Sequence, residues 1–171
     1  MRLEDIENIE LNRLELEDYE ELKEVMRSSY HTMPEMYWRE SQINSLIRKF
    51  SEGQVVIKVN GQIAGCALSI IVDYESFGDN HTYSEITGNY SFSTHKPQGD
   101  ILYGIDVFIK PEFRGLRLGR RLYDYRKELC EKQNLKGIIF GGRIPNYHKF
   151  QDQMEPKTYI EKVRLREIHD P

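Results

Sequence analysis

The stretch Arg114-Gly115-Leu116-Arg117-Leu118-Gly119-Arg120-Arg121 constrains this chain more than any other feature, because of what flanks it. Before it lies an apolar run at 101–109, rich in β-branched and aromatic residues. After it, Leu118, Leu122, Tyr125 and Leu129 recur at helical spacing. A strand, a glycine-bearing turn and a helix N-terminus in that order make an anion site. The first backbone N–H groups of a helix have no internal partner, and the helix dipole adds partial positive charge there. Glycines let the backbone approach a ligand without a Cβ in the way. Four arginines within eight residues add fixed charge suited to phosphate. The implied ligand is a phosphorylated cofactor; the plainer reading of the segment is a β-turn-α unit with a solvated basic helix.

Spacing excludes two familiar phosphate loops. There is no Gly-x-x-x-x-Gly-Lys-Ser/Thr, and no Gly-x-Gly-x-x-Gly after a first strand with an acidic residue about 20 positions on. The segment instead resembles the coenzyme A pyrophosphate loop of the GNAT superfamily of N-acetyltransferases. That signature is Arg/Gln-x-x-Gly-x-Gly/Ala after a strand ending in apolar-x-Pro. Here Val107-Phe108-Ile109-Lys110-Pro111-Glu112-Phe113-Arg114 leads into Gly115-Leu116-Arg117-Leu118-Gly119. The sequence departs from the signature at its middle glycine, which is Arg117. Gly104-Ile105-Asp106-Val107, the 122–130 segment and Gly137-Ile138-Ile139-Phe140-Gly141-Gly142-Arg143-Ile144-Pro145 form a more particular pattern. They resemble the GNAT-type domain fused, in some bacterial proteins, ahead of a carbon–nitrogen (nitrilase-like) hydrolase domain. This narrower resemblance covers about residues 101–170, and the broader one most of the chain.

Composition agrees with one domain. A chain of 171 residues buries a real core, and with 30% charged residues it has no apolar run long enough to span a membrane. No basic-then-apolar amino-terminal segment indicates secretion. Cys66 and Cys130 read as reduced, buried thiols rather than a disulfide framework, so a cytoplasmic location is expected. The net charge of −4 hides an asymmetry. Residues 1–40 carry twelve acidic and five basic side chains, whereas 110–136 carry nine basic and four acidic. A basic patch can signify nucleic acid. This one is confined to the phosphate loop and its helix, and no nucleic-acid-binding motif accompanies it.

The coarse order of elements is β-α-α-β-β-β-α-β. A strand is expected within 6–16. A helix follows, capped by Asp18 with Glu21 three positions on and striped by Leu22, Val25, Met26 and Tyr30. A second helix runs over 38–50 with Ile43, Leu46, Ile47 and Phe50. Strands 54–59 and 62–72 flank Asn60-Gly61 as a hairpin with a type I′ turn. Residues 74–100 read as a polar, irregular insertion, then strand 101–109, helix 115–133 and strand 137–141. The resemblance implies an α/β (α+β) fold, a mostly antiparallel mixed sheet flanked by helices. It also implies two further strands after a helix at about 156–167, which the sequence does not offer. The domain is therefore expected to be carboxy-terminally incomplete or cut from a longer chain. A sheet without its closing strands exposes an edge prone to self-association, so a homodimer through that edge is the corresponding expectation.

For a GNAT-type enzyme the resemblance implies acetyl-CoA as cofactor. Val107, Phe108 and Ile109 would offer backbone groups to the pantetheine arm and thioester carbonyl. The loop Arg114, Gly115, Leu116, Arg117, Leu118, Gly119 and Arg120 would hold the pyrophosphate, and Asn146 would lie beside the cofactor. Amine acylation needs a base for the attacking amine, an acid for the leaving thiolate and an N–H donor for the oxyanion. Asp106 is the candidate base or, equally, a hydrogen-bonded structural carboxylate. Tyr147 and His148 are candidate acids or surface loop residues; Tyr103 reads as core. His81 and His95 lie fourteen apart without acidic or cysteine partners at ligand spacing, so no metal site is expected. The insertion, with Tyr74, Phe77, Tyr83, Tyr90 and Phe92, would form a substrate lid or a loose surface loop. Two functions remain open: an acyltransferase acting on the amine of a small molecule or protein, and a non-catalytic CoA-binding module that regulates or positions a partner hydrolase domain. The acceptor would be set by variable segments such as 26–40 and 74–100.

Overall fold

Five strands, most of them near-continuous apolar runs buried on both faces, line up in sequence order in one sheet: β1 (Ile9–Arg13), β2 (Val55–Val59), β3 (Gln62–Val72), β4 (Ile101–Ile109) and β5 (Gly137–Phe140). The first four pair antiparallel and β5 joins β4 in parallel, giving the mostly antiparallel mixed sheet that was expected. The computed structural model describes residues 5–31 and 33–170; Thr32, within the expected acceptor segment 26–40, lies outside them. The chain divides into two compact units, Met1–Phe140 and Gly141–Pro171.

In the first unit, helices α1 (Tyr19–Ser29) and α2 (Glu40–Phe50) bury the predicted stripes. Leu22, Val25, Met26, Ile43 and Leu46 pack with Leu68, Ile70, Tyr103, Ile105 and Phe108 on one face of the sheet. Tyr103 is core, as read. On the other face Leu118 and Leu122 of α4 (Leu118–Lys132) pack with Val55, Ile57, Ala67 and Phe113. Asn60 and Gly61 have φ of 49° and 80°, both left-handed, as a type I′ turn requires.

Three local expectations change. Asp18 does not cap α1: its carboxylate accepts from the Glu15 N–H at 3.1 Å and pairs with Lys58 at 3.0 Å. Its own backbone is already helical, and Glu21 accepts instead from the Ile63 N–H at 2.8 Å. The capping pattern was read one turn late. Helix α4 starts at Leu118 rather than 115, because Gly115 and Arg117 both have positive φ. The insertion is not loose. Thr82 and Glu85 form a capping box for one helical turn, α3 (Tyr83–Ile86), and Ile86, Thr87 and Phe92 are fully buried.

Two side chains finish what β2 leaves undone along β3. Gln54, wholly buried, accepts from the Ser69 N–H at 3.0 Å and donates to the Ser69 carbonyl at 2.7 Å. His95, stacked on Phe50 at 5.2 Å, accepts from the Ile71 N–H through Nδ1 at 3.1 Å. The second unit holds a short helix, α5 (Pro156–Arg164), with the buried Tyr159 ring against Tyr147 and Phe150. Its hydroxyl donates to Asp170 at 2.6 Å, and burial with that carboxylate pushes its pKa up to about 12. Among the described residues no helix is long and apolar enough to cross a membrane.

Burial, then the charge of Lys49, lowers the pKa of His95, and only the neutral ring can accept from Ile71. The stability this contributes is fully present above the unfolded histidine value of roughly 6.5 and is lost as pH falls toward the lower folded value. Urea midpoints measured at pH 7 and pH 5 should converge in His95→Gln relative to the unaltered chain. An identical pH dependence in the two would reject this role.

Candidate active site

β4 carries the site because two irregularities coincide on it. Leu68 pairs with Asp106 but Ser69 pairs with Gly104, so β4 has one extra residue, Ile105, and bulges. On its other side β4 pairs with β5 only from Ile101 to Gly104. Among the described residues no strand pairs with β4 beyond that point. The Lys110 N–H donates to the Ala64 carbonyl at 2.8 Å. Antiparallel alternation then puts the hydrogen-bonded pairs at Cys66/Phe108 and Leu68/Asp106 and turns the main-chain groups of Val107 and Ile109 to the open edge. Two side chains reach Ile109 there, Ser29 and Arg114, each donating to its carbonyl at 3.3 Å.

The loop that follows ends on the N-terminus of α4. Arg117, standing where the family signature has glycine, adopts φ 56°, ψ 25° and caps the helix without a side-chain hydrogen bond. No acidic residue occupies the first turn. Arg114, Arg117 and Arg120 are exposed, whereas Leu118 is buried and anchors the turn to the core. A Cβ at Gly115 or Gly119 would meet nothing within 4 Å, so the loop has open space over both glycines. First-turn amides and positive dipole therefore sit beside a loop that carries exposed Arg114, Arg117 and Arg120.

Around the bulge, Asp106 gathers residues from distant parts of the first unit. Tyr30 donates to Oδ1 at 2.6 Å and Trp38 Nε1 to Oδ2 at 2.9 Å. Tyr83, from the insertion, donates to the Ile105 carbonyl at 2.8 Å. Burial, then the charge of Asp106, pushes the Tyr83 hydroxyl far up, so it stays protonated. Tyr90 and Phe92 pack their rings on Trp38 at 6.5 and 5.6 Å. The wholly buried Cys66 thiol is pushed well up by burial and remains a thiol.

Behind the bulge lies Arg126. It is 2% exposed, and donates through Nη2 to the Leu68 and Asp106 carbonyls at 2.7 and 2.8 Å and through Nε to Ser69 Oγ at 3.1 Å. Burial lowers its pKa, with Tyr123, Cys66 and Asp106 opposing. Glycine at 104 leaves it room: a Cβ there would come within 2.9 Å of Nη1.

Tyr30, Trp38, Tyr83 and Arg126 had not been singled out as site residues. Tyr30 had been assigned to a helix stripe, Tyr83 to the insertion's aromatics and Arg126 only to a family-like segment. Of the residues that had been, Asp106, Val107, Phe108, Ile109 and the 114–120 loop lie together on β4, its following turn and α4. Asn146, Tyr147 and His148 belong to the second unit. There the Tyr147 hydroxyl donates to the Met154 carbonyl at 2.9 Å, the Asn146 N–H donates to Asp170 at 3.2 Å, and exposed His148 has Nδ1 2.8 Å from the Pro145 carbonyl. Among the described residues no group of three His, Cys, Asp or Glu side chains could hold a metal ion.

The strand edge of β4 thus leads, through one turn, into a helix N-terminus that carries exposed arginines. The model of the acetyltransferase (GNAT) family matches residues 10–150, so the chain belongs to that family. It is similar to two Bacillus subtilis proteins. One is the probable hydrolase YhcX, 34% identical over 161 residues, covering 94% of this chain and 31% of that protein. The other is the uncharacterized N-acetyltransferase YkwB, 34% identical over 137 residues, covering 80% of this chain and 61% of that protein. The chain thus spans about a third of one relative and three fifths of the other. Two solved structures share the fold. The loading GNATL domain of CurA from Lyngbya majuscula has a TM-score of 0.73 at 20% identity, covering 86% of this chain and 71% of that one. The GphF GNAT-like decarboxylase in complex with isobutyryl-CoA has 0.69 at 16%, covering 95% and 80%.

A side chain in the left-handed helical region costs about 1–2 kcal/mol, and glycine's extra unfolded freedom returns roughly half of that. Arg117→Gly should therefore raise stability by about 0.5–1 kcal/mol, read as a higher denaturant midpoint with unchanged slope. A lower midpoint would mean that the Arg117 side chain, rather than the backbone, decides.

Proposed function

We propose that the chain transfers an acetyl group from acetyl-CoA to the amine of a small molecule or protein, by direct attack of the amine on the thioester. The observation that carries the reading is the continuity of the open β4 edge with the arginine-ringed start of α4. The isobutyryl-CoA bound in the GphF structure and the N-acetyltransferase description of YkwB support an acyl-CoA donor and an amine acceptor. The donor, when bound, supplies an activated thioester. The loop 114–120 would hold its pyrophosphate and the main chain of Val107 and Ile109 its pantetheine arm, with the Val107 N–H left for the thioester carbonyl.

In this reading Asp106 takes the proton of the attacking amine. Tyr30 and Trp38 orient both carboxylate oxygens, and the aromatic insertion walls the acceptor side. The remaining acceleration comes from holding the two reactants together. Asn146, Tyr147 and His148, which lie in the second unit, are given no role in this reading, and the leaving thiolate takes its proton from water. A second reading has one specific support: this chain corresponds to 31% of a probable hydrolase, as a CoA-binding module that regulates a fused hydrolase domain would.

Calorimetric titration with acetyl-CoA should show micromolar binding. Each charge-assisted hydrogen bond contributes about 1.5–3 kcal/mol, so the double change Arg114→Ala/Arg120→Ala should weaken binding at least roughly tenfold. Undiminished binding in that variant would move the cofactor off the loop. Asp106→Asn should abolish CoA release in the presence of primary amines while binding persists. Unchanged turnover would leave Asp106 structural, and binding without turnover in the unaltered chain would favour the regulatory reading.

A further inference from the structure

We infer that Arg126 is a positioning residue for acyl transfer: its guanidinium fixes and polarises the Asp106–Val107 peptide, so that the Val107 N–H is aimed at the thioester carbonyl. The inference rests on the acyl-CoA reading of the open β4 edge. In a trans peptide the C=O and N–H point in opposite directions, and no peptide in the described chain is cis. Arg126 Nη2 holds the Asp106 carbonyl at 2.8 Å, on the side facing β3 and α4. The N–H of the same peptide therefore points away from β3, out of the open edge. A cation bonded to a carbonyl draws electron density through the amide and makes its N–H a stronger donor.

Three features set this apart from ordinary core packing. The guanidinium donates to neutral oxygens, two carbonyls and a hydroxyl, all at the bulge. A buried guanidinium held by carbonyl and hydroxyl oxygens is a poor device for stability alone, since an apolar side chain of similar volume commonly does as well or better. Nη2 bridges Leu68 and Asp106, the pair next to the extra residue, so it sets the geometry where the ladder is weakest. Finally, Arg126 is on the same helix as the phosphate loop. Holding the bulge from α4 fixes the distance between the two ends of the ligand site with one rigid element.

The test reads the bound thioester directly. Acetyl-CoA labelled with 13C at the thioester carbonyl is added to the full chain, and the carbonyl stretch is recorded by isotope-edited infrared difference spectroscopy. The unaltered chain should lower the frequency relative to free acetyl-CoA. Arg126→Gln should return it toward the free value and slow CoA release to primary amines by about ten- to hundredfold, while affinity for CoA changes less than about twofold. Arg126→Lys, which keeps the charge, should recover part of both. Gly104→Ala keeps the guanidinium and displaces it, and should reproduce the loss; circular dichroism and thermal midpoints establish which variants are folded. A frequency unmoved in the folded variants would overturn the role of Arg126 alone. An unaltered chain that fails to bind acetyl-CoA would overturn the acyl-CoA reading, and this inference with it.

Discussion

One extra residue in β4 organises this molecule. Because Ile105 has no counterpart on β3, the strand twists at the point where β5 also leaves it. That single event turns the Asp106 carboxylate toward Tyr30 and Trp38 and the Val107 main chain toward solvent. A bulge frees backbone groups and needs something to hold its shape. Here the holding groups come from both faces of the sheet, Tyr83 on the Ile105 carbonyl and Arg126 on that of Asp106. Neither would have a target in a regular ladder.

The start of α4 obeys a different constraint. A helix start attracts anions most strongly when its own amides are not consumed by a side-chain cap. Arg117 occupies the cap position with a side chain that cannot accept a hydrogen bond, and no acid in the first turn competes. The departure from the family signature is thus tolerated by the turn, which forms around Gly115 at φ 90°, and it adds a charge where the signature has none.

What could be read in the residues was what has a local cause. The hairpin was legible because Asn60-Gly61 can hardly do anything else, and α1, α2 and α4 because their apolar spacing is regular. The glycine-bearing turn between β4 and α4 was legible from strand, turn and helix in succession. The cap at Asp18 was misread because the same carboxylate is wanted by Glu15 in the preceding turn and by Lys58, 40 residues away. The order of the insertion was hidden because it hangs on a few buried side chains, Ile86 and Phe92 among them, spaced without a period. The setting of Asp106 was not visible at all. Its partners lie 76 and 68 residues off in sequence, and no local pattern marks a tyrosine or tryptophan as destined for one carboxylate.

The way β3 is finished has a consequence for the chain in company. β3 runs eleven residues against the five of β2, so its far half would offer bare amides and carbonyls on that side. Gln54 and His95 cover Ser69 and Ile71, and the main-chain N–H of Lys96 donates to the Ile71 carbonyl at 2.8 Å. The insertion thereby acts as a sheath over a strand that is among the most apolar in the molecule. Detaching it would expose a sticky template for any other extended chain, so this segment shields the strand from edge-to-edge pairing in a crowded solution.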